Sequence, residues 1–314
     1  MRKPVQFGWR VPDFPLDGSK PEAFRDQILS SLEPLQESFS SFWVADHFVP
    51  WFEEMDPATD TYEAWTTLTY LSSRFPHMLA GNLVLCQSYR SPALLAKMAA
   101  TLSALSPGHF ILGIGAGWKE DEYLAYGYDF PPAATRVHQL AEAVQIIRKM
   151  WTQEKTDFAG RYYQVKGAIC VPKPDPLPPI LIGGGGKKLT LKVVAEQADW
   201  WNMPGVSPEN YERLLFVLHQ HCLAVGRDYD SIVKTVATDC LAVAPSHEKA
   251  VELAAASPFG SSEGALVGTP DEVAAQIERY AQIGVTHFIL RLADFPGTNA
   301  ASLFVKEVLP RFAA

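Results

Sequence analysis

The sequence predicts an α/β fold in which one (β/α)8 barrel takes up residues 1–314. Three observations point there. Apolar runs of strand length alternate about eight times with stretches of helical period. No linker rich in Ser, Gly or charge divides the chain, which favours one closed barrel over two doubly wound halves. A length of 314 residues also suits a barrel built as one domain. Strands that alternate with helices form a parallel sheet.

The units follow in order. Residues 5–8 form a strand and 21–37 a helix, then 42–45 and 62–72, 78–85 and 92–105, and 109–113 and 135–151. The second half pairs 179–182 with 189–197, 200–201 with 208–225, 233–243 with 248–256, and 287–290 with 302–309. Two stretches exceed a minimal barrel: 152–178, which is Pro-rich from Val171 onward, and 258–269. They read as insertions in connecting loops, where long segments tend to carry function.

With 27 basic against 35 acidic side chains, the net charge is −8 and no basic face is concentrated enough to neutralise a phosphate backbone. Nucleic acid is therefore not an expected partner. No apolar run approaches the ~20 residues needed to span a bilayer, and Pro12, Asp13 and Pro15 interrupt the N-terminal apolar patch before a signal-peptide core could form. A cytoplasmic protein is expected. Cys86, Cys170, Cys222 and Cys240 are far apart, with no Cys-x-x-Cys pair for a zinc ribbon or a dithiol.

In such barrels the chemistry lies just after each strand. The second strand ends in Asp46-His47, a carboxylate and an imidazole suited to proton transfer or cofactor contact. The bland alternative is a turn cap at Asp46 and packing of His47 on Trp51. The fourth strand runs into Gly113-Ile114-Gly115-Ala116-Gly117, which is not the dinucleotide pattern G-x-G-x-x-G. These glycines either present N–H groups to an anion or a planar ring, or allow tight packing with Glu120, Asp121 and Glu122 at a helix start. The fifth strand meets Gly183-Gly184-Gly185-Gly186 and then Lys187-Lys188, the strongest anion-binding signal in the chain. Leu181 stands where a Walker A loop needs its first glycine. His219 and His221, two apart on a helix, cannot face one metal, and the first strand lacks the histidine pair of metal-dependent hydrolase barrels.

The blocks at 42–47, 89–97, 112–118, 179–186 and 198–202, in that order, resemble the bacterial-luciferase-like family of flavin- and deazaflavin-dependent oxidoreductases. Within it the chain looks most like the branch of probable coenzyme F420-dependent enzymes. The resemblance implies a TIM barrel with an insertion and a deazaflavin (F420), or alternatively FMN, in its C-terminal mouth. It implies that Gly183, Gly184, Gly185 and Gly186, with Gly115, Ala116 and Gly117, hold the cofactor phosphate. It places Asp46 and catalytic His47 beside the ring and a non-prolyl cis peptide near Asn82–Leu83 beneath it. Lys187, Lys188 and Lys173 are the expected partners of an anionic F420 tail. The resemblance also implies a small-molecule substrate, a homodimer, and, for the monooxygenase alternative, a separate reductase. One departure stands out: Trp118 and Lys119 occupy the place of the catalytic acid found in the sugar-phosphate dehydrogenase branch.

Overall fold

The computed structural model describes residues 4–52 and 54–312, so the ends of the expected 1–314 domain, 1–3 and 313–314, lie outside the described residues. In chain order the first half holds β1 (Gln6–Arg10), α1 (Pro21–Leu35), β2 (Ser41–Val44), α2 (Ala64–Arg74), β3 (Leu79–Asn82), β4 (Leu85–Cys86), α3 (Pro92–Leu105), β5 (Phe110–Gly115), α4 (Glu120–Ala125) and α5 (Ala133–Thr152). It continues with β6 (Thr156–Ala159), β7 (Gln164–Ala168), β8 (Ile180–Gly183), α6 (Thr190–Gln197), β9 (Trp200–Pro204) and α7 (Pro208–Val225). The last part holds β10 (Val233–Val243), α8 (His247–Ala256), β11 (Leu266–Gly268), α9 (Pro270–Gln282), β12 (Val285–Leu292) and α10 (Asn299–Leu303).

Eight of these strands close a parallel barrel in the order β1, β2, β3, β5, β8, β9, β10, β12, with β12 returning to β1. The closing pairs are in register at Gly8 with Ile289 and at Asn202 with Thr235. Two hydrophobic shells follow from the period-2 pleat. Outward residues such as Phe42, Leu112, Ile182, Phe288 and Leu290 pack on helix residues such as Leu32, Leu68, Ile147, Val194 and Ile277. Inward residues Trp43, Leu83, Ile111, Leu181, Ala237 and Ile289 fill the barrel.

On β12 the inward positions are His287, Ile289 and Arg291, which stack from the N-terminal end of the barrel to its mouth. His287 is buried at the first level, with Nε2 2.8 Å from Ser41 Oγ, which also accepts from the Trp43 indole at 2.9 Å. Burial alone pushes the His287 imidazole down to about 3, so it is neutral.

The eight strand-then-helix units hold, with most ends shifted by no more than three residues; the last helix differs, its α-helical part ending at Leu303 and continuing as a π-helical turn over Phe304–Val308. The third run, however, is broken: β3 stops at Asn82 and β4 resumes at Leu85, both pairing with β5. The segment between them carries a non-prolyl cis peptide at Leu83–Val84. This corrects the expected position, Asn82–Leu83, by one residue. The 152–178 stretch folds into the antiparallel β6–β7 hairpin, whose turn amides at Arg161, Tyr162 and Tyr163 donate to Glu142 on α5. Helix α9 was absent from the pattern-based units, although Thr269-Pro270-Asp271-Glu272 forms a complete capping box at its start.

Candidate active site

A cavity of about 450 Å³ opens at the C-terminal ends of the barrel strands. Its volume lies in the range of small-molecule sites. The inward period of the strands gives it two unlike halves. On the side of β5 and β8 the top positions are Gly115 and Gly183, with Gly117 and Gly184 beyond them. On the side of β10 and β1 they are Asp239 and Arg10, joined by a 3.0 Å ion pair. Asp239 stands where the β10–β12 register shifts between Thr238 and Leu241, an irregularity that aims it into the mouth.

The glycines of β5 and β8 are there for packing. A Cβ on Gly113 would lie 1.7 Å from the Asn82 carbonyl oxygen, and one on Gly115 would lie 2.7 Å from a Val84 methyl. The Gly183 position meets Val84 at 3.0 Å. The bulge between β3 and β4 therefore lays Val84 across the barrel floor, and only glycine on the facing strands leaves room for it. Asn82 itself is fully buried below the cavity and does not line it; its side-chain amide has no hydrogen-bond partner there. Leu83 does line the cavity.

The β8 loop is different. Gly184 has φ +114° and its Cβ position meets nothing closer than Thr190 Cγ2 at 3.4 Å. Its amide makes the last ladder bond, 3.0 Å to the Asn202 carbonyl. Beyond it, Gly185 and Gly186 lead to α6, which begins without a side-chain cap. Gly183, Gly184 and Thr190 line the cavity, whereas Gly185 packs toward Met203 and Leu214, so the four-glycine run splits between cavity wall and packing. Lys187 and Lys188 are exposed beside this loop. Lys173 is not available there: its ammonium donates to the Met150 and Gln153 carbonyls at the C-terminal end of α5, the opposite end of the barrel.

Asp46 and His47 both reach the cavity, by different means. Asp46 is buried and takes two hydrogen bonds from Arg90, at 2.9 and 3.0 Å, and one from the Cys86 amide at 2.8 Å. Arg90 also pairs with Glu63, which caps α2. Both Asp46 oxygens are thus committed to tying β2 to the β4 bulge. Burial pulls on the Arg90 guanidinium, but the two carboxylates outweigh it and hold its proton firmly.

His47 Nδ1 lies 3.0 Å from Glu122 Oε2, and its ring sits between Trp51 and Trp118, 6.1 and 5.7 Å between centroids. Glu122 on α4 is almost fully buried and also accepts from the Phe48 and Val49 amides and the Tyr89 hydroxyl. Burial raises the Glu122 carboxyl, but the His47 hydrogen bond and charge, with the two amides, win and leave it below the usual carboxylate value. An ionised carboxylate only accepts, so Nδ1 carries a proton and Nε2 is left for chemistry. The sequence reading grouped Glu122 with Glu120 and Asp121 as helix-start acids. Its fourfold acceptor role depends on a contact 75 residues away in the chain.

Cys86 also faces the cavity. Burial pushes its thiol up to about 11, with Tyr123 Oη 2.7 Å away, so it is an inert wall residue. Arg291 is buried behind the indole of Trp51, with its guanidinium 4.1 Å above the Phe259 ring. Among the described residues no group of His, Cys, Asp or Glu is arranged to hold a metal. No helix there is long and apolar enough to cross a membrane.

A parallel barrel with a bulged third strand, glycines facing that bulge and a His–Glu pair at the mouth invites comparison with known proteins. The family model described as luciferase-like monooxygenase matches residues 36–262. The chain belongs to the luciferase-like monooxygenase family. Among relatives of this family, the F420-dependent glucose-6-phosphate dehydrogenase of Microbacterium testaceum (strain StLB037) is 27% identical over 343 residues, 99% of this chain and 98% of the relative. The enzyme of the same description from Mycolicibacterium smegmatis (strain ATCC 700084 / mc(2)155) is 28% identical over 92% of this chain and 95% of its own. Two solved structures share the luciferase-like barrel. An F420-dependent secondary alcohol dehydrogenase, solved with an F420–acetone adduct, superposes with a TM-score of 0.83 at 21% identity over 99% of this chain and 100% of that one. The F420-dependent tetrahydromethanopterin reductase of Methanopyrus kandleri gives 0.74 at 20% identity over 98% and 99%.

Proposed function

We propose that this luciferase-like barrel is an oxidoreductase that uses coenzyme F420 to move a hydride to or from a small organic substrate. The observation that carries the reading is His47, aligned by an ionised Glu122 at the mouth of a cavity whose other half is lined by glycine backbone. The residues fit a flat ring with a phosphate tail. Gly115, Gly117, Gly183 and Val84 offer a low, apolar floor, and the open Gly184 loop leads to the uncapped start of α6 with Lys187 and Lys188 beside it. Oriented amides, the helix dipole and local lysines all favour a phosphate there. The F420-dependent names of the relatives support the choice of cofactor.

When bound, F420 supplies a two-electron hydride acceptor or donor, and the protein supplies orientation and proton control. Facing a bound alcohol, His47 Nε2 would accept the O–H proton, and facing a carbonyl the protonated imidazole would return it. Glu122 holds Nδ1–H so that Nε2 is left for the substrate, and Trp51 and Trp118 flank the imidazole.

Fluorescence titration of the purified protein with F420 and, separately, with FMN tests this. Micromolar or tighter F420 binding with weak FMN binding is expected. Tight FMN binding without F420 binding overturns it in favour of a monooxygenase fed by a partner reductase.

A further inference from the structure

Beyond the catalytic cavity, the mouth continues into a groove of about 870 Å³ that shares Trp51, Trp118 and Lys119 with it. The groove runs between the segment after His47 and helix α4. Its walls are Phe52, Met55, Pro57 and Leu124 together with the two indoles. Trp118 is 61% exposed and Leu124 60% exposed. Large apolar side chains clustered in the open beside a reaction site mark a surface that something apolar covers.

Charge decides what that something is. The polar rim of the groove carries Glu54, Glu120 and Asp121, all exposed, and its one cation among the described residues, Lys119, is paired with Asp121 at 2.6 Å. Inside the cavity Arg10 is paired with Asp239, and Arg291 lies behind Trp51. A phosphate dianion would face Glu54 and Glu120, with both lining cations already engaged by Asp121 and Asp239. A neutral hydrocarbon chain meets no such opposition and gains burial along the indoles.

We propose that the substrate is an uncharged, extended apolar molecule whose reactive carbon reaches His47 while its tail lies in this groove, with Leu124 and Trp118 setting the preference for chain length. This rests on the reading of His47 as the reactive centre, and it departs from a sugar phosphate, the substrate class in the names of the relatives.

The test titrates 2-alkanones from 2-butanone to 2-decanone, and separately glucose 6-phosphate, into the purified protein by calorimetry, with and without F420. Kd is expected to fall about two- to fourfold per added methylene until the groove is filled, as burial of CH2 groups dictates. Glucose 6-phosphate is expected not to saturate the site. Leu124→Glu, at an exposed position outside the catalytic cavity, is expected to flatten the chain-length dependence while leaving F420 affinity unchanged, and Trp118→Gln to flatten it independently. A Kd independent of chain length, an unchanged slope in both variants, or glucose 6-phosphate binding tighter than 2-octanone overturns the proposal. If F420 fails to bind but the slope persists without it, the cofactor reading falls and the substrate class stands. If F420 binds and the slope is flat, the substrate class alone falls.

Discussion

Glu122 Oε2 accepts from His47 Nδ1 at 3.0 Å, while Oε1 of the same carboxylate takes the Phe48 and Val49 amides. One buried side chain on α4 thus fixes both the imidazole and the backbone that follows it. Replacing Glu122 with Gln keeps an acceptor for the amides and removes the charge that sets the His47 tautomer. We expect the Glu122→Gln protein to fold and bind F420 within a few-fold of wild type, with kcat lowered roughly 10- to 100-fold and KM little changed. A KM effect of equal size, or none on kcat, would count against the positioning role.

The same logic puts Asp46 in a different class from His47. Its carboxylate holds Arg90 and the Cys86 amide, which fastens β4 and hence the Val84 floor. Asp46→Asn removes one of the two carboxylates that hold Arg90 and leaves Glu63, so it is expected to lose about 1.5–3 kcal/mol of stability. Urea unfolding measures this directly. A loss below about 1 kcal/mol, with F420 affinity abolished, would instead place Asp46 on the cofactor.

These contrasts mark what was legible in the sequence. The alternation of apolar runs gave the barrel because period 2 and period 3.6 are local properties, and the position of Asp46-His47 after the second strand followed from it. The glycine runs were visible, but not which glycines serve packing, since Gly113 is required by a carbonyl 31 residues earlier and Gly185 by Met203 and Leu214. Glu122 looked like any acid in a first helical turn. Its partners lie on another barrel unit, and no spacing rule connects them. Lys173 was misjudged for the converse reason: the Pro-rich stretch carries it to the far end of α5. Helix α9 carried a readable signal in its capping box.

Stability should depend on pH through His287. Burial lowers its folded-state value to about 3 from 6.5, so the unfolded chain takes up the proton first. The stabilisation is complete above pH 6.5 and is lost as pH falls, by up to ~1.4 kcal/mol per unit. Between pH 6.5 and 5 the change precedes carboxylate protonation at Glu122 and Glu63, both lowered below 4.5. We expect the urea midpoint of wild type to drop across that window and that of His287→Gln, which retains an acceptor for Ser41, to stay level. Parallel slopes in the two proteins would rule His287 out as the source.

Gly113 lies inside β5, in register with Leu181 of β8, whereas Gly184 lies just past the end of β8, and alanine at each is expected to fail in a different way. At Gly113 a methyl would overlap the Asn82 carbonyl at 1.7 Å, backbone against backbone, so nothing flexible can yield. Gly113→Ala must displace the bulge that carries Val84, and we expect at least ~3 kcal/mol of destabilisation or no soluble protein, in line with severe overpacking. At Gly184 the methyl finds open space, its nearest neighbour being Thr190 Cγ2 at 3.4 Å, and the cost comes from φ +114° alone. A non-glycine residue there loses roughly 1–2 kcal/mol, which a folded barrel of this size tolerates. Because that methyl projects into the space beside the start of α6, F420 affinity is expected to fall at least tenfold while the thermal midpoint moves by only a few degrees. Gly184 is the better site for this test than Gly185, where a side chain would strike Met203 Sδ at 2.9 Å and confound binding with packing. A folded Gly184→Ala protein with wild-type F420 affinity would remove the β8 loop from the cofactor site, whatever the fate of Gly113→Ala.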